Sequence, residues 1–352
     1  MATTILGGGI AGTALAGALA RTGDKVTVYE RQQVGGGGGA FLFLDDRGHT
    51  ALTGLGLDLA ALHAASHPIL GLDYTNSVGV HSARMDRGHR FWLRANLIAV
   101  LQDFLDTSGA DARYGVAVTG IDSGTVTLDG AQQPGIAIAD DLVIAADGID
   151  SVVRAHLEPE RVPVYAGDVV VYGMTATPVA LPSSAAVLHF YDEITPQGKG
   201  ATFGHVWDED TAALWFLRIP RASLPTDEQG VRPVGDWAAE VLDATPSNTK
   251  LLETLLAQTE SVHVSNARNV PLDNAATPRL PVLLVGDADH AITPAAGVGA
   301  RDALEDVHAV YQAIVDGGDP AAAMAQRRER IRADREVAQR RIRQSTGRPA
   351  AT

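Results

Sequence analysis

Gly7, Gly9 and Gly12 stand in a G-x-G-x-x-G spacing after a short apolar run, and Glu30 closes a second apolar run eighteen residues later. These residue types at these intervals suit the holding of a dinucleotide. Gly7 permits a tight turn, Gly9 lets backbone approach a pyrophosphate, and Gly12 lets a helix pack closely on a strand. The N–H groups that open the helix face the phosphates. The Glu30 carboxylate accepts from a ribose hydroxyl. A bare glycine-rich turn would not need the strand, helix, second strand and terminal acid in register.

Two more clusters have chemical potential. Asp147-Gly148 ends a buried apolar run that starts after Asp141, with Ser151 and Arg154 just beyond. Gly286-Asp287 ends another, and Pro294, Gly297, Val298 and Gly299 follow. Between them lie Tyr172, His189, Tyr191, His205, Trp207, Trp215 and Arg218, spaced as if on successive strands. In regular strands His189 and Tyr191 share a face, as do His205 and Trp207. Such a histidine could deprotonate a phenol, or simply be satisfied in the core or at the surface. His290 reads as structural. No zinc-type cluster, nucleophile elbow or phosphate-binding Gly-Lys-Ser/Thr loop is present in the sequence.

The elements that must position these residues read as α/β. A first βαβ unit is followed by the five glycines 35–39, a flexible or cofactor-side loop. Leu52, Leu55, Leu59 and Leu62 suggest a helix over 48–64, and Leu97, Val100, Leu101, Phe104 and Leu105 a second one from Arg94. Short strands are expected at 115–121 and 124–128, with a turn at Ser123-Gly124. From 162 to 220 the runs are aromatic and β-branched, which suggests an antiparallel sheet, and a helical stretch near 235–257 follows. The expected fold is a discontinuous Rossmann-like nucleotide-binding domain with an inserted, mainly antiparallel substrate sheet. The first part is 1–161, within which 65–93 can fall on the substrate side. The sheet domain is 162–275, and 276–352 returns to the first domain and ends in a helix.

The 352 residues carry 28 Lys+Arg against 42 Asp+Glu, a net charge of −14, which argues against nonspecific nucleic-acid binding. Residues 327–343 oppose that trend with eight arginines against three acids, and read as a solvated terminal helix face. The absence of cysteine excludes disulfides, thiolate metal sites and a cysteinyl link to a cofactor. No metal site is expected. Apolar runs fall short of a membrane span and no signal peptide is visible, so the cytoplasm is the expected compartment.

In their order, the three clusters resemble the flavoprotein aromatic hydroxylases of the para-hydroxybenzoate hydroxylase type, the single-component class A FAD monooxygenases. The resemblance covers roughly residues 4–345. It implies that Gly7, Gly9, Gly12 and Glu30, with Arg31 beside it, hold the pyrophosphate and adenosine ribose of FAD. It implies that Asp147 helps shape the pyrophosphate and NAD(P)H region, and that Asp287 binds the ribityl or ribose side. Arg94 matches the arginine that opens the family's Arg-x-x-Leu helix, and Val118 sits where the family offers backbone to the adenine. Pro294, Gly297, Val298 and Gly299 would bring helix N–H groups to the flavin N1–C2 edge. The family's Gly-Gln-Gly-x-Asn here reads Gly297-Val-Gly299-Ala-Arg301. Arg301 can pair with Asp302, Glu305 or Asp306, or reach the flavin or a substrate acid.

The resemblance implies that NAD(P)H reduces FAD, that O2 is captured as a C4a-hydroperoxide, and that one oxygen passes to a small-to-medium aromatic or polyketide-like substrate. It places the substrate between the flavin and the 165–220 sheet. No second glycine fingerprint exists, so NAD(P)H would bind transiently as a cosubstrate. The catalytic candidates are His189, His205, Tyr191 and Arg218. Trp215–Pro220 approaches the Trp-x-Trp-x-Ile-Pro of flavin halogenases, but position 217 is Leu, and none of the lysines (Lys25, Lys199 and Lys250) is placed like theirs. A flavin oxidase or reductase without oxygen insertion, and a ligand-binding flavoprotein with incidental turnover, remain as alternatives.

Overall fold

The computed structural model describes residues 2–33, 41–85, 88–122, 124–131, 135–137, 142–196, 198–293 and 297–346. The glycine run 35–39, Ser123, Asp141 and Pro294 lie outside the described residues.

Strand Ala2–Leu6 is short, β-branched and buried almost throughout, as a central parallel strand must be. It pairs in parallel with Lys25–Glu30 on one side and Leu142–Ala145 on the other. Val282–Leu284 and Asp111–Tyr114 complete a five-stranded sheet in the order 282–284, 142–145, 2–6, 25–30, 111–114. The chain thus leaves this sheet and returns to it 136 residues after position 146 with a strand beside 142–145. Helix Ile10–Arg21, rich in Ala and Leu, covers one face. A Cβ on Gly17 would lie 2.5 Å from the Phe104 ring, so helix Arg94–Asp106 packs on this glycine. The core here joins Ile5, Leu15, Leu19, Leu97, Leu101, Leu304 and Val307.

The second large sheet has eight strands in the order 230–233, 261–269, 164–178, 212–220, 198–206, 187–195, 71–76, 81–85. All neighbours are antiparallel except 187–195 with 71–76. Segment 71–85 therefore belongs to this sheet although it precedes the inserted region. The sheet has two packed faces. On one, Val169, Val171, Phe203, Trp215 and Leu217 bury against Trp237 and against Val241, Leu252 and Leu255 of helices Ala238–Ala244 and Thr249–Ala257. On the other, Leu188, Val206, Leu214 and Phe216 pack with Phe41 and Phe91, which lie on a small antiparallel sheet of Phe41–Leu44, Arg90–Leu93 and His67–Pro68.

The helix expected over 48–64 is two helices, Asp46–Gly54 and Leu59–Ala64. Gly56 takes φ +100°, a left-handed stop, and Asp58 caps the second helix by accepting from Ala61 N–H. The stretch 235–257 is likewise divided, at Pro246. The strands near 115–128 run Ala117–Asp122 and Thr125–Asp129. Helix Gly299–Val315 ends before Gly317, and Pro320–Thr346 is the last element among the described residues.

Candidate functional site

The glycine turn is built as its spacing requires. Gly7 has φ +105°, and a Cβ there would fall 2.3 Å from Ala146 O on the neighbouring strand's extension. A Cβ on Gly12 would meet Gly7 O at 1.9 Å, whereas one on Gly9 would meet nothing within 4 Å. Close packing thus explains two glycines, and the third faces open space at the start of the helix. That helix has no side-chain cap and no acid in its first turn, so its N–H groups and dipole stay available to an anion. Glu30 folds back on the turn: its Oε2 accepts from Gly8 N–H at 2.6 Å and its Oε1 from Gln32 N–H at 2.8 Å. Arg31 is exposed beside it, and Val118 is half-buried, packed on the Val116–Leu128 cluster.

Asp147 leaves the end of its strand and accepts from Val152 and Val153 N–H through Oδ2, while its Oδ1 is buried without a partner. Burial raises this carboxyl above its ordinary range, against hydrogen bonds that lower it. Ser151 caps the short helix Val152–Leu157. Arg154, 2% exposed, turns inward from that helix and donates to Ile149 O, to Asp287 O at 3.4 Å and to Ala288 O at 2.8 Å. One buried guanidinium therefore fastens the Asp-Gly loop to the Gly-Asp loop, with Arg154 and Asp287 133 residues apart in the chain.

Gly286 takes φ +57° and turns the chain into Asp287, which is exposed to solvent on one side. Crowding by protein raises its carboxyl, and His290, Arg94, Arg154 and Arg335 lower it in turn. Asp287, Arg94 and Arg154 are therefore brought together. Gly297 has φ +62°, and helix Gly299–Val315 begins after Val298 without a side-chain cap. Arg301 takes the most local of its expected roles. It donates to Asp302 at 2.8 Å and to Asp45 at 3.2 Å, rather than to Glu305 or Asp306.

Strand alternation sorts the substrate-side candidates. Tyr172 and Arg218 lie on the face toward Phe41, with Phe190, Phe216, Tyr74 and Thr202. Phe41 meets Tyr172 edge-on at 5.6 Å, and Phe190 meets Phe216 at 5.9 Å. Arg218 donates to Asp168 at 2.6 Å and its Nε is buried without a partner. Tyr172 is so buried that its phenol is held protonated. His189, Tyr191, His205, Trp207 and Trp215 occupy the opposite face. There His189, His205, Tyr191 and Phe203 stack, and His205 Nε2 meets Ser183 Oγ at 2.7 Å. Burial, with His189 adding repulsion, pushes His205 down to about 3. Of the two readings left open for the histidines, the structure gives the packed one, on the face away from Phe41. His189 and His205 are buried, and Tyr191 is half-buried against the cluster that the helices of 238–257 cover.

Sequence reasoning did not find Phe41, Tyr74, Phe190, Phe216 or Thr202. Only for Phe216 did the period-two alternation of 212–220 hold that information. Tyr74, Phe190 and Thr202 lie on separate strands that pairing brings alongside, and Phe41 on the small sheet packed against them. Two surface cavities of about 310 and 340 Å³ lie elsewhere, one lined by Asp46, His49, His63 and Arg90, the other by Arg221, Arg232, Trp237 and Glu240. Among the described residues no cluster suits a metal ion, and no helix is long and apolar enough to cross a membrane.

These residues fit an adenine dinucleotide: an open glycine cradle, an uncapped helix start, and an orphaned buried oxygen on Asp147. Comparison with known proteins agrees. The family model described as FAD binding domain matches residues 1–322. A 2-heptyl-3-hydroxy-4(1H)-quinolone synthase of Pseudomonas aeruginosa is 29% identical over 319 residues, spanning 87% of this chain and 78% of that protein. A kynurenine 3-monooxygenase of Myxococcus xanthus is 27% identical over 363 residues, 89% of this chain and 70% of that one. The crystal structure of CtdE in complex with FAD and substrate 4 superposes with a TM-score of 0.78 at 20% identity, covering 97% of this chain and 89% of that one, a shared fold.

Proposed function

The chain belongs to the FAD-binding-domain family, and from that premise we propose that it is a single-component, NAD(P)H-dependent FAD monooxygenase. It places one oxygen atom of O2 on a small-to-medium aromatic or polyketide-like substrate. The relatives above are named for aromatic compounds, a quinolone and kynurenine. The observation that carries the reading in this chain is the Arg154 staple, which joins the Asp-Gly and Gly-Asp loops beside the glycine turn.

When bound, FAD supplies the redox and oxygen chemistry that these side chains cannot. The chain's own groups hold and surround it. The N–H groups after Gly9 face the pyrophosphate, Glu30 takes the adenosine ribose and Asp287 the ribityl side, with Asp147, Arg31, Arg94 and Val118 around them. The open end of helix Gly299–Val315, with Gly297 and Val298, offers N–H groups where negative charge gathers on a reduced flavin. The aromatic face of Tyr172, Phe190 and Phe216 keeps water from a flat substrate, and Arg218 with Thr202 gives that face polar points that fix its orientation. On this reading 1–161 and 276–352 form the flavin part. Residues 162–275 form the substrate sheet, joined by 71–85.

Labelled dioxygen tests the proposal. Protein carrying FAD, given NADH or NADPH and a responsive aromatic ligand, should yield a product heavier by one labelled oxygen atom. Nicotinamide consumption with unlabelled products throughout would put the oxidase or reductase alternative first. No ligand-stimulated consumption at all would favour the binding protein.

A further inference from the structure

The Gly286–His290 turn is caged by arginines. The carbonyl oxygens of Asp287 and Ala288 accept from Arg154, that of Asp289 from Arg161 at 2.6 Å, and that of His290 from Arg335 at 3.0 Å. The Gly286 N–H donates to Asp306 Oδ2 at 3.1 Å. Asp306 is fully buried and also meets His290 Nε2 at 2.5 Å and Arg327 Nε at 3.0 Å. Asp289, equally buried, is gripped by Arg161 at 2.9 Å and by Arg328 at 2.5 and 2.8 Å. Three of these arginines, Arg327, Arg328 and Arg335, come from the terminal helix Pro320–Thr346. They lie beyond the residues matched by the family model, which stop at 322. The solvated basic face expected of 327–343 is thus, at these three positions, a packed inner face.

We propose that Arg327 and Arg335 are positioning residues for FAD. Through Asp306 and the His290 carbonyl, the docked terminal helix fixes the turn that presents Asp287 to the cofactor. The physical reason is that a backbone turn with a left-handed glycine has few contacts of its own. Its orientation is set by whatever satisfies its carbonyls and its one outward N–H. Buried charges hold position strictly, because displacing either partner leaves the other unpaired in a dry environment. FAD retention and helix docking are therefore coupled, each favouring the other by the same factor. The inference rests on the reading of Asp287 as an FAD ligand.

The test titrates FAD into apoprotein, following flavin fluorescence, with apoprotein melting measured alongside. Arg335→Gln removes the bond to the His290 carbonyl and should weaken FAD binding tenfold or more, with Arg335→Lys restoring most of it. Arg327→Gln should do the same through Asp306. Arg332→Gln is the control on the same helix, since Arg332 donates to Leu272 O outside the turn, and should leave FAD affinity within twofold. Asp287→Asn tests the underlying reading. If it leaves affinity unchanged, Asp287 is not the ligand and that reading fails. If it weakens FAD while Arg335→Gln does not, the helix coupling is overturned and the reading stands. A lower melting temperature in Arg335→Gln with unchanged FAD affinity overturns the coupling too, since it shows the arginine as a stabiliser only. Should Arg327→Gln fail to fold, the Arg335 variants alone decide between coupling and its absence.

Discussion

At the scale of single residues, the three glycines of the first turn do different work, and substitution separates them. Gly12→Ala would drive a Cβ to 1.9 Å from Gly7 O, so the turn must open, at a cost of about 1–3 kcal/mol. Both apoprotein stability and FAD affinity should fall. Gly9→Ala places its methyl in open space, so the apoprotein should melt nearly as before while FAD affinity drops roughly tenfold or more. Melting curves and FAD titrations of the two variants check this, and equal stability losses would sink the distinction. Gly204 offers the matching experiment on the substrate side. An alanine Cβ there would lie 2.2 Å from Phe216 Cζ and push the ring out of the aromatic face. KM for the aromatic substrate should change several-fold with FAD affinity untouched. A shift in FAD affinity instead would mean that this face belongs to the cofactor.

At the scale of elements, what could be read from the sequence was what is contiguous. The first βαβ unit and the strands 142–145 and 282–284 were legible because buried parallel strands are short unbroken apolar runs, and each ends in its own motif residue. The helix break at Gly56 was hidden because Leu52, Leu55, Leu59 and Leu62 keep a helical period across it, although Gly56 and Asp58 are a stop and a start signal. The role of the histidines in the large sheet stayed open for another reason. Chemistry-bearing types drew attention to His189 and His205, while alternation with Trp215 and Leu217 placed them inward. Least legible was the arginine cage. Arg327 finds Asp306 and Arg328 finds Asp289 only because the terminal helix folds back, and a run of eight arginines carries no mark of which ones turn inward. Arg301 shows the same limit, since its partner Asp45 lies 256 residues away.

At the scale of the whole molecule, two buried histidines give the stability curve opposite slopes. His205 is pushed down to about 3 from 6.5 by burial and by His189. As pH falls below about 6.5, the unfolded chain takes up a proton that the folded chain refuses, so stability declines. His290 behaves in reverse. Burial alone would lower it, but Asp306 and Asp289 outweigh that and raise it from 6.5 to about 9. Its contribution is present below about pH 6.5 and is lost as pH rises through about 9. His205→Phe isolates the first effect, since phenylalanine can keep the stack with His189, Tyr191 and Phe203 and does not titrate. Relative to the parent chain, the variant should gain about 2 kcal/mol between pH 6.5 and pH 5, whatever constant offset the lost Ser183 hydrogen bond imposes. The loss of stability toward pH 9 should be the same in both proteins. Denaturant melts at pH 5, 6.5 and 9 measure these differences, and parallel acid limbs would mean that His205 is protonated in the folded chain. Because the ring lies on the face away from Phe41 and Tyr172, turnover of the variant should stay within about twofold of the parent. A collapse of kcat with FAD still bound would return the histidine to the catalytic side of the sheet.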